Sequence, residues 1–325
     1  MLLDAGGKAV RQDAFIVRAT ELSQFRNCPR NWFFTSHNGL NLERRVTNRK
    51  LRFGIVMHKA LEVMYGGAPA DAVISALNAA LEEEREALDA YWSVELNQEF
   101  EEDRLLANSL MHEYMGWVHS ENCSYPDSEF NFKHTERRVI TQLPGTYAYL
   151  AVKMDAEAEG RIVGGYWVLE HKTRGKSTNV SNPQEIFMDL QLGAQLWTLS
   201  KEGKRPSGVL FNLIRKQMPG PRVKAPLFAR HRATRTAQEL RIFEETLFRV
   251  YHDMRDTARR ILVDKEPFYT LPYNPQTMGV CSWGCPVKDL CGAICRGDDT
   301  TLVIESQLKP RDKDIWQVLE EDQSE

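Results

Sequence analysis

Residues 146–172 read TYAYLAVKMDAEAEGRIVGGYWVLEHK, and the fold turns on how this stretch is read. Two runs rich in aromatic and β-branched residues flank the glycine-bearing segment 160–165, the pattern of two strands joined by a turn. A strand sends alternate side chains to opposite faces, so Glu170 and Lys172 share one face and His171 takes the other. If 160–165 is the loop, facing positions sum to 325, and Asp155 lies opposite Glu170. Directly opposed side chains sit about 5 Å apart at Cβ. Two carboxylates that close repel and share protons unless a cation lies between them. Oxygen ligands on a rigid sheet suit Mg²⁺ or Mn²⁺, and Lys172 on the same face would orient a water or offset negative charge. The alternative is plain: Asp155 and Glu170 pair with Lys153 and Lys172 as surface ions.

Working outward, FKHTERRVI (132–140) before this stretch and SGVLFNLIRK (207–216) after it read as further strands. Gly145 marks the turn before the second strand. Helical periodicity appears over 54–65, about 70–90, about 95–120, 184–201 and about 234–263. Trp92 and Trp117 are expected to be core packing. Residues 19–37 read as a short helix with Ser23 as N-cap and a break at Pro29 after Cys28. The expected fold class is α/β, a mixed central sheet flanked by helices, ending in a cysteine-rich knot and a loosely ordered tail over 309–325. No internal repeat is present.

With 42% hydrophobic and 27% charged residues in 325, the chain is ordinary globular protein of one large or two smaller domains. The net charge of −3 does not announce a nucleic-acid binder, but the charge is unevenly spread. Lys204–Arg241 holds ten Lys or Arg against Glu239 alone, and Leu81–Asp103 holds ten acids against Arg85 alone. The acidic run reads as a solvated face. The basic run, broken by Pro206, Pro219, Pro221 and Pro226, reads as loop-rich and suited to phosphate contacts. No stretch is long enough to span a bilayer, and the N-terminus lacks a signal-peptide core, so a cytoplasmic location is expected and no membrane partner. There, four of six cysteines crowded between Cys281 and Cys295 point to metal ligation rather than disulfides. Cys123 stands apart as a small core residue.

Other residues are individually weak signals. His58 in FGIVMHKALE is either a ligand or a packed histidine. Gln191 and Gln195 lie one turn apart on one helix face and suit base or phosphate contacts, as do many exposed glutamines. Gly175-Lys176-Ser177 imitates the end of a phosphate-binding loop, but Glu170 stands where that loop needs glycine. His112 and His119 lack the spacing of a zinc-protease helix.

Together these residues resemble the RecB-like branch of the PD-(D/E)XK nuclease superfamily, in particular its members with an iron–sulfur cluster, such as AddB-type nuclease domains, CRISPR-associated RecB-like exonucleases and phage proteins. The resemblance rests on Gly54-x-x-x-His58, Asp155, Glu170-His171-Lys172 and Gln191 in that order, with Cys28-Pro29 near one end and the 281–295 cysteines near the other. It spans about residues 20–295. Two features depart from the pattern: Gln195 stands at the family's tyrosine position, and the cysteines are spaced C-x3-C-x5-C followed by C-x3-C.

The resemblance implies a restriction-endonuclease-like core over 54–265 with a helical insertion at about 68–125. It implies an N-terminal arm (1–53) carrying the first cluster cysteine, a cysteine region (266–300) joining the chain ends, and a tail (301–325). It implies a metal-dependent deoxyribonuclease, an exonuclease on single-stranded DNA or DNA ends, working with recombination, CRISPR or phage replication proteins. Asp155, Glu170, Lys172 and His58 would be catalytic. His58, Asp155, Glu170 and the His171 carbonyl would hold Mg²⁺ or Mn²⁺. Gln191, Gln195, Arg174, Arg215 and Lys216 would grip the strand. Cys28, Cys281, Cys285 and Cys291 would hold a [4Fe–4S] cluster, with zinc the alternative metal and Cys295 the spare thiol; closing a loop of some 250 residues would constrain the unfolded chain. Two other readings stay open: a non-catalytic DNA-binding or scaffold protein retaining the fold, and a zinc-knuckle protein.

Overall fold

The two runs that open the sequence form β4 (Ala148–Gly160) and β5 (Tyr166–Gly175) in the computed structural model. They pair antiparallel as Ala156↔Leu169 through Glu159↔Tyr166, so facing positions sum to 325 as expected. The structure describes residues 4, 6, 8–11, 13–88, 93–162, 164–175, 179–182, 186, 189–221, 226–275, 281 and 284–311. Trp92, Lys176, Ser177 and the tail beyond 311 lie outside the described residues.

The six-stranded sheet runs β1-β4-β5-β6-β7, with β1 Phe15–Arg18, β6 Pro206–Lys216 and β7 Phe228–Ala233, while β3 (Phe130–Gln142) pairs with β4 along its other edge. β1 pairs with β4 and β6 with β5 in parallel, and the remaining pairs are antiparallel, making the sheet mixed. β1 occupies Ala148–Ala151 of β4, and β5 occupies Ala156–Glu159 of the same edge. Asp155 thus stands in the fork where the two neighbours diverge.

Two hydrophobic cores cover the sheet. One gathers α1 (Ala19–Asn27), α2 (Pro29–Thr35), α6 (Leu190–Lys201) and α7 (Ala237–Leu262), with Trp32, Trp197, Phe211 and Met254 fully buried. The other gathers α3 (Arg49–Tyr65), α4 (Ala70–Glu86) and α5 (Val94–Trp117), with Met57, Leu77, Met111 and Tyr114 buried. Trp117 packs half-buried against this second core, and Cys123 is buried nearby. Val152 and Met154 of β4 lie in the first core and Ala156 and Ala158 in the second. Four even positions of a regular strand would share one face, so β4 changes faces at Asp155.

Several expectations shift. Ser23 lies inside α1, which begins at Ala19; Glu21 accepts the Arg18 N–H at 3.2 Å and closes the helix start in its place. The break at Cys28-Pro29 separates α1 from α2. The helix expected from 184 begins at Leu190, because Asp189 caps it by accepting from Gln191 N and Leu192 N. The basic run is not mainly loop: β6, β7 and the start of α7 fill most of it. Residues 301–307 form α9 (Thr301–Gln307), and 309–310, expected to be loose, belong to β8 (Leu308–Pro310), which pairs with β2 (Leu42–Arg44) and buries Leu308. A helix α8 (Lys288–Arg296) carries two of the cysteines. Among the described residues, no helix is long and apolar enough to cross a membrane.

Candidate active site

Three elements bring the charged residues together: the β4–β5 fork, α3 crossing one face of the sheet, and α6 crossing the other. On the α6 side Glu170 is 1% exposed. Its Oε1 accepts from Gln191 Nε2 at 2.8 Å and from Lys172 Nζ, and its Oε2 accepts from Gln195 Nε2 at 2.6 Å. Lys172 Nζ also donates to Gln191 Oε1 at 3.0 Å. The two glutamines reach Glu170 because α6 is seated closely: a Cβ at Gly193 would meet the Phe243 ring at 2.6 Å. Gln195, expected as an exposed polar residue or a strand contact, is fully buried on Glu170.

On the α3 side His58 Nδ1 lies 3.5 Å from Asp155 Oδ1, and the His171 backbone N–H donates to Asp155 Oδ2 at 2.7 Å. Glu136 completes the group: His58, Glu136 and Asp155 each offer a ligand atom within 4.8 Å of the others. Glu136 faces Asp155 because β3 pairs Thr135↔Ala156 and Arg137↔Met154 on either side of them. Its φ is 51°, left-handed backbone in a non-glycine residue, a conformation that costs about 1–3 kcal/mol and clusters at functional sites. Its Oε2 is buried without a hydrogen bond, with the Lys153 ammonium against it. Lys153 thus pairs with Glu136, not with Asp155.

The charges are tuned by these contacts. Burial works to raise the Asp155 pKa, but the hydrogen bond and charge of His58 outweigh it and hold the carboxyl well below its usual range. Burial pushes Glu170 up, against the pull of Lys172 and with the push of Asp155. Burial also works against the Lys172 ammonium, yet Glu170 holds it cationic with a raised pKa. His58 is likewise raised, Asp155 outweighing its desolvation. His171, on the opposite face from Glu170, is pushed down to about 3 by burial.

That histidine heads a row across three strands, His171↔Asn212↔Arg230. Asn212 Nδ2 lies 3.1 Å from His171 Nδ1, and Arg230 Nε donates to Asn212 Oδ1 at 3.0 Å. The fully buried Arg230 guanidinium further donates to Asp127 at 2.7 Å, the Tyr125 carbonyl at 2.6 Å and the Tyr65 hydroxyl at 2.9 Å. One arginine of the basic run is therefore a buried structural group. Arg174 and Arg215 face each other near the ends of β5 and β6, and Lys216 leans on the Phe53 ring and the Lys50 carbonyl. These three lie outside the hydrogen-bonded set around Glu170. Gly54 is not demanded by packing, since a Cβ there would meet only Thr173 Oγ1 at an ordinary 3.6 Å.

Five of the cysteines gather between α1–α2 and the C-terminal region. Cys28, Cys281 and Cys285 line a cavity of about 270 Å³ with Asn31 and Asn274. Arg30 donates to Cys291 Sγ and Cys295 Sγ, each at 3.3 Å. Burial, with neighbouring thiols on three sides, pushes Cys285 up to about 11. The chain ends are also joined without these thiols: Arg30 donates to the Leu271 carbonyl and Arg44 to the Cys285 carbonyl.

The family model of the PD-(D/E)XK nuclease superfamily matches residues 18–292. The chain belongs to the PD-(D/E)XK nuclease superfamily. A search of curated proteins returns no match. The matched span takes in Asp155, Glu170 and Lys172. Membership in this superfamily implies metal-dependent nuclease chemistry, phosphodiester hydrolysis with DNA as substrate and Mg²⁺ or Mn²⁺ as the ion.

Glu136 is the site residue that sequence reasoning passed over. The arithmetic applied to the second turn works equally on the first: a turn at Gly145, with φ 73°, pairs positions summing to 291 and sets Glu136 opposite Asp155.

Proposed function

We propose that this protein is a metal-dependent exonuclease acting on single-stranded DNA or DNA ends, with its centre at the β4–β5 fork. The observation that carries the reading is the grouping of His58, Glu136 and Asp155, each with a ligand atom within 4.8 Å of the others, beside the Glu170–Lys172 pair of β5.

The donor set suits a hard divalent ion. Asp155, kept ionised, and Glu136, whose Oε2 is buried against the Lys153 ammonium, would supply the oxygens; His58 would supply a nitrogen, and the family pattern adds Glu170 and the His171 carbonyl. Glu170 retains lone pairs beside its three hydrogen bonds, since a carboxylate offers about four acceptor sites. A divalent ion held by these residues would supply Lewis-acid polarisation of the phosphodiester and a more acidic water. Lys172, held between Glu170 and Gln191 and kept cationic, orients the attacking water and offsets the charge that builds on the phosphate oxygens. Gln191 and Gln195 fix the Glu170 carboxylate from the far side, so the reacting geometry is set before substrate arrives.

The thiols at the chain ends suit a [4Fe–4S] cluster held by Cys28, Cys281, Cys285 and either Cys291 or Cys295, with Arg30 supporting the last two. Its role is structural: it pins α1–α2 to the C-terminal region.

The test is digestion of end-labelled linear single-stranded DNA with Mg²⁺ or Mn²⁺, using anaerobically purified protein. Cleavage that Lys172→Ala and EDTA both abolish supports the reading. A folded, metal-loaded wild type that leaves the DNA intact, alone and at every end structure offered, contradicts it.

A further inference from the structure

The basic run between 204 and 241 was the expected place for phosphate contacts, yet the cations nearest the candidate centre come from elsewhere. A groove of about 710 Å³ lies between α3 and β3, where Lys59, Lys133, His134, Arg138 and Lys153 outnumber the acids Glu62 and Glu136. Arg137 also lines it but is committed to Glu157 and Glu202. The groove opens on the centre itself. Lys59 follows His58 in α3, Glu136 lines the groove, and Lys153 stands two residues before Asp155. Lys59, Lys133, His134 and Lys153 are exposed. The Lys133–Glu159 pair at 3.1 Å is open to solvent, with the two side chains 37% and 57% exposed, and such pairs hold a lysine only weakly.

We propose that this groove is the track for a single nucleic-acid strand leading to the Asp155 centre, its phosphates bound by Lys59, Lys133 and Arg138. The proposal rests on the nuclease reading and names the surface that delivers its substrate. Two arguments favour a single strand. Asp155 and Glu170 are recessed, their side chains 10% and 1% exposed, so the scissile phosphate has to enter the sheet's fork away from a paired partner strand. Cations rise from both walls, Lys59 from the helix and Lys133 and Arg138 from the strand, the arrangement that follows one backbone. Phe132, half-buried and 4.6 Å from the buried Tyr65 ring, also lines the groove.

The test measures binding without chemistry. The full chain in EDTA is titrated with a fluorescent oligothymidylate of about twenty nucleotides over a salt series, comparing wild type with Lys59→Gln, Lys133→Gln and Arg138→Gln singly and combined. The expected result is weaker binding in each single variant. In the triple variant the slope of log K against log[salt] falls by about two, at about 0.7 per lost phosphate contact on a single strand. Circular dichroism checks that each variant is folded, and the single variants stand in if the triple is not. A variant set that binds with wild-type affinity and slope overturns the proposal, as does a wild type that binds only duplex. Hydrolysis of bis(p-nitrophenyl) phosphate with Mn²⁺ separates the two claims. This ester needs no track, so the variants keep wild-type rates if only the groove is altered. Failure of the wild type to hydrolyse it, with groove binding intact, removes the nuclease reading and leaves the track.

Discussion

Strand β5 separates two buried polar regions built on adjacent residues. On one face Glu170 and Lys172 stand as opposite charges, braced by Gln191 and Gln195, with Lys172 still 29% exposed. On the other, His171 stands neutral at the head of a row through Asn212 to Arg230, sealed by Tyr65 and Tyr114. Both are hydrogen-bond networks in low dielectric, where an unmet group is costly. They differ in what is left for a ligand. The Glu170 face keeps an accessible ammonium and carboxylate lone pairs. The His171 face spends its donors internally and leaves its charge, Arg230, beyond reach of solvent. On the proposed function the first region supplies the reacting ammonium, and the row through Asn212 to Arg230 holds the strands that carry it.

Substitutions should separate the two. The largest effect belongs to Lys172→Ala, expected to lower the rate of DNA hydrolysis about a thousandfold while thermal unfolding changes little; a rate within tenfold of wild type would place the reacting cation elsewhere. Next, Arg230→Met should leave Asp127 and Asn212 without their buried partner and cost about 3–5 kcal/mol, read by urea unfolding. Per folded molecule, the variant's hydrolysis should fall far less than that of Lys172→Ala. Equal losses in both readouts would merge the two regions into one.

The neutral His171 predicts a pH effect of definite sign. Its folded pKa of about 3 lies below the unfolded value of about 6.5, so in this window the unfolded state takes up a proton that the folded state refuses. Stability therefore falls as pH drops, by up to about 1.4 kcal/mol per unit. His58 works in the opposite sense, its raised pKa adding stability below the unfolded value, but once both states hold that proton, below about pH 6, it adds no slope. Unfolding measured between pH 6 and 4.5, in wild type and His171→Gln, isolates the effect; the variant should show the shallower dependence.

The smallest expected change is the most discriminating. Glu136→Gly relieves a left-handed residue and should gain up to about 1 kcal/mol of stability, while Mn²⁺ binds more weakly. Loss of stability on this change would mean that Glu136 serves the fold and not the ion.

Much of this was readable because β4 and β5 are long and meet at a glycine turn. That turn fixed the β4–β5 register from Ala156↔Leu169 to Glu159↔Tyr166, and with it the approach of Asp155 to the β5 backbone at His171. Gln191 and Gln195 were legible as a pair by helical spacing, though not as the brace of Glu170, which depends on how closely Gly193 lets α6 approach Phe243. The face change at Asp155 and the backbone of Glu136 were hidden, because an even pattern of apolar residues through Val152, Met154, Ala156 and Ala158 looks like a regular strand. Arg230 reads as one more cation in a basic run; only the cross-strand row with Asn212 and His171 shows it buried. Strands β1, β2 and β8, three or four residues each, take their partners from far along the chain, and like the six-residue β7 they carry too little local pattern to announce themselves.

The central claim is that a divalent ion binds at the β4–β5 fork on Asp155. Mn²⁺ titration followed by electron paramagnetic resonance, on wild type and Asp155→Asn, tests it without reference to substrate. The account predicts a bound-ion signal in wild type that Asp155→Asn removes while the protein stays folded. Identical Mn²⁺ binding by the two proteins would contradict it.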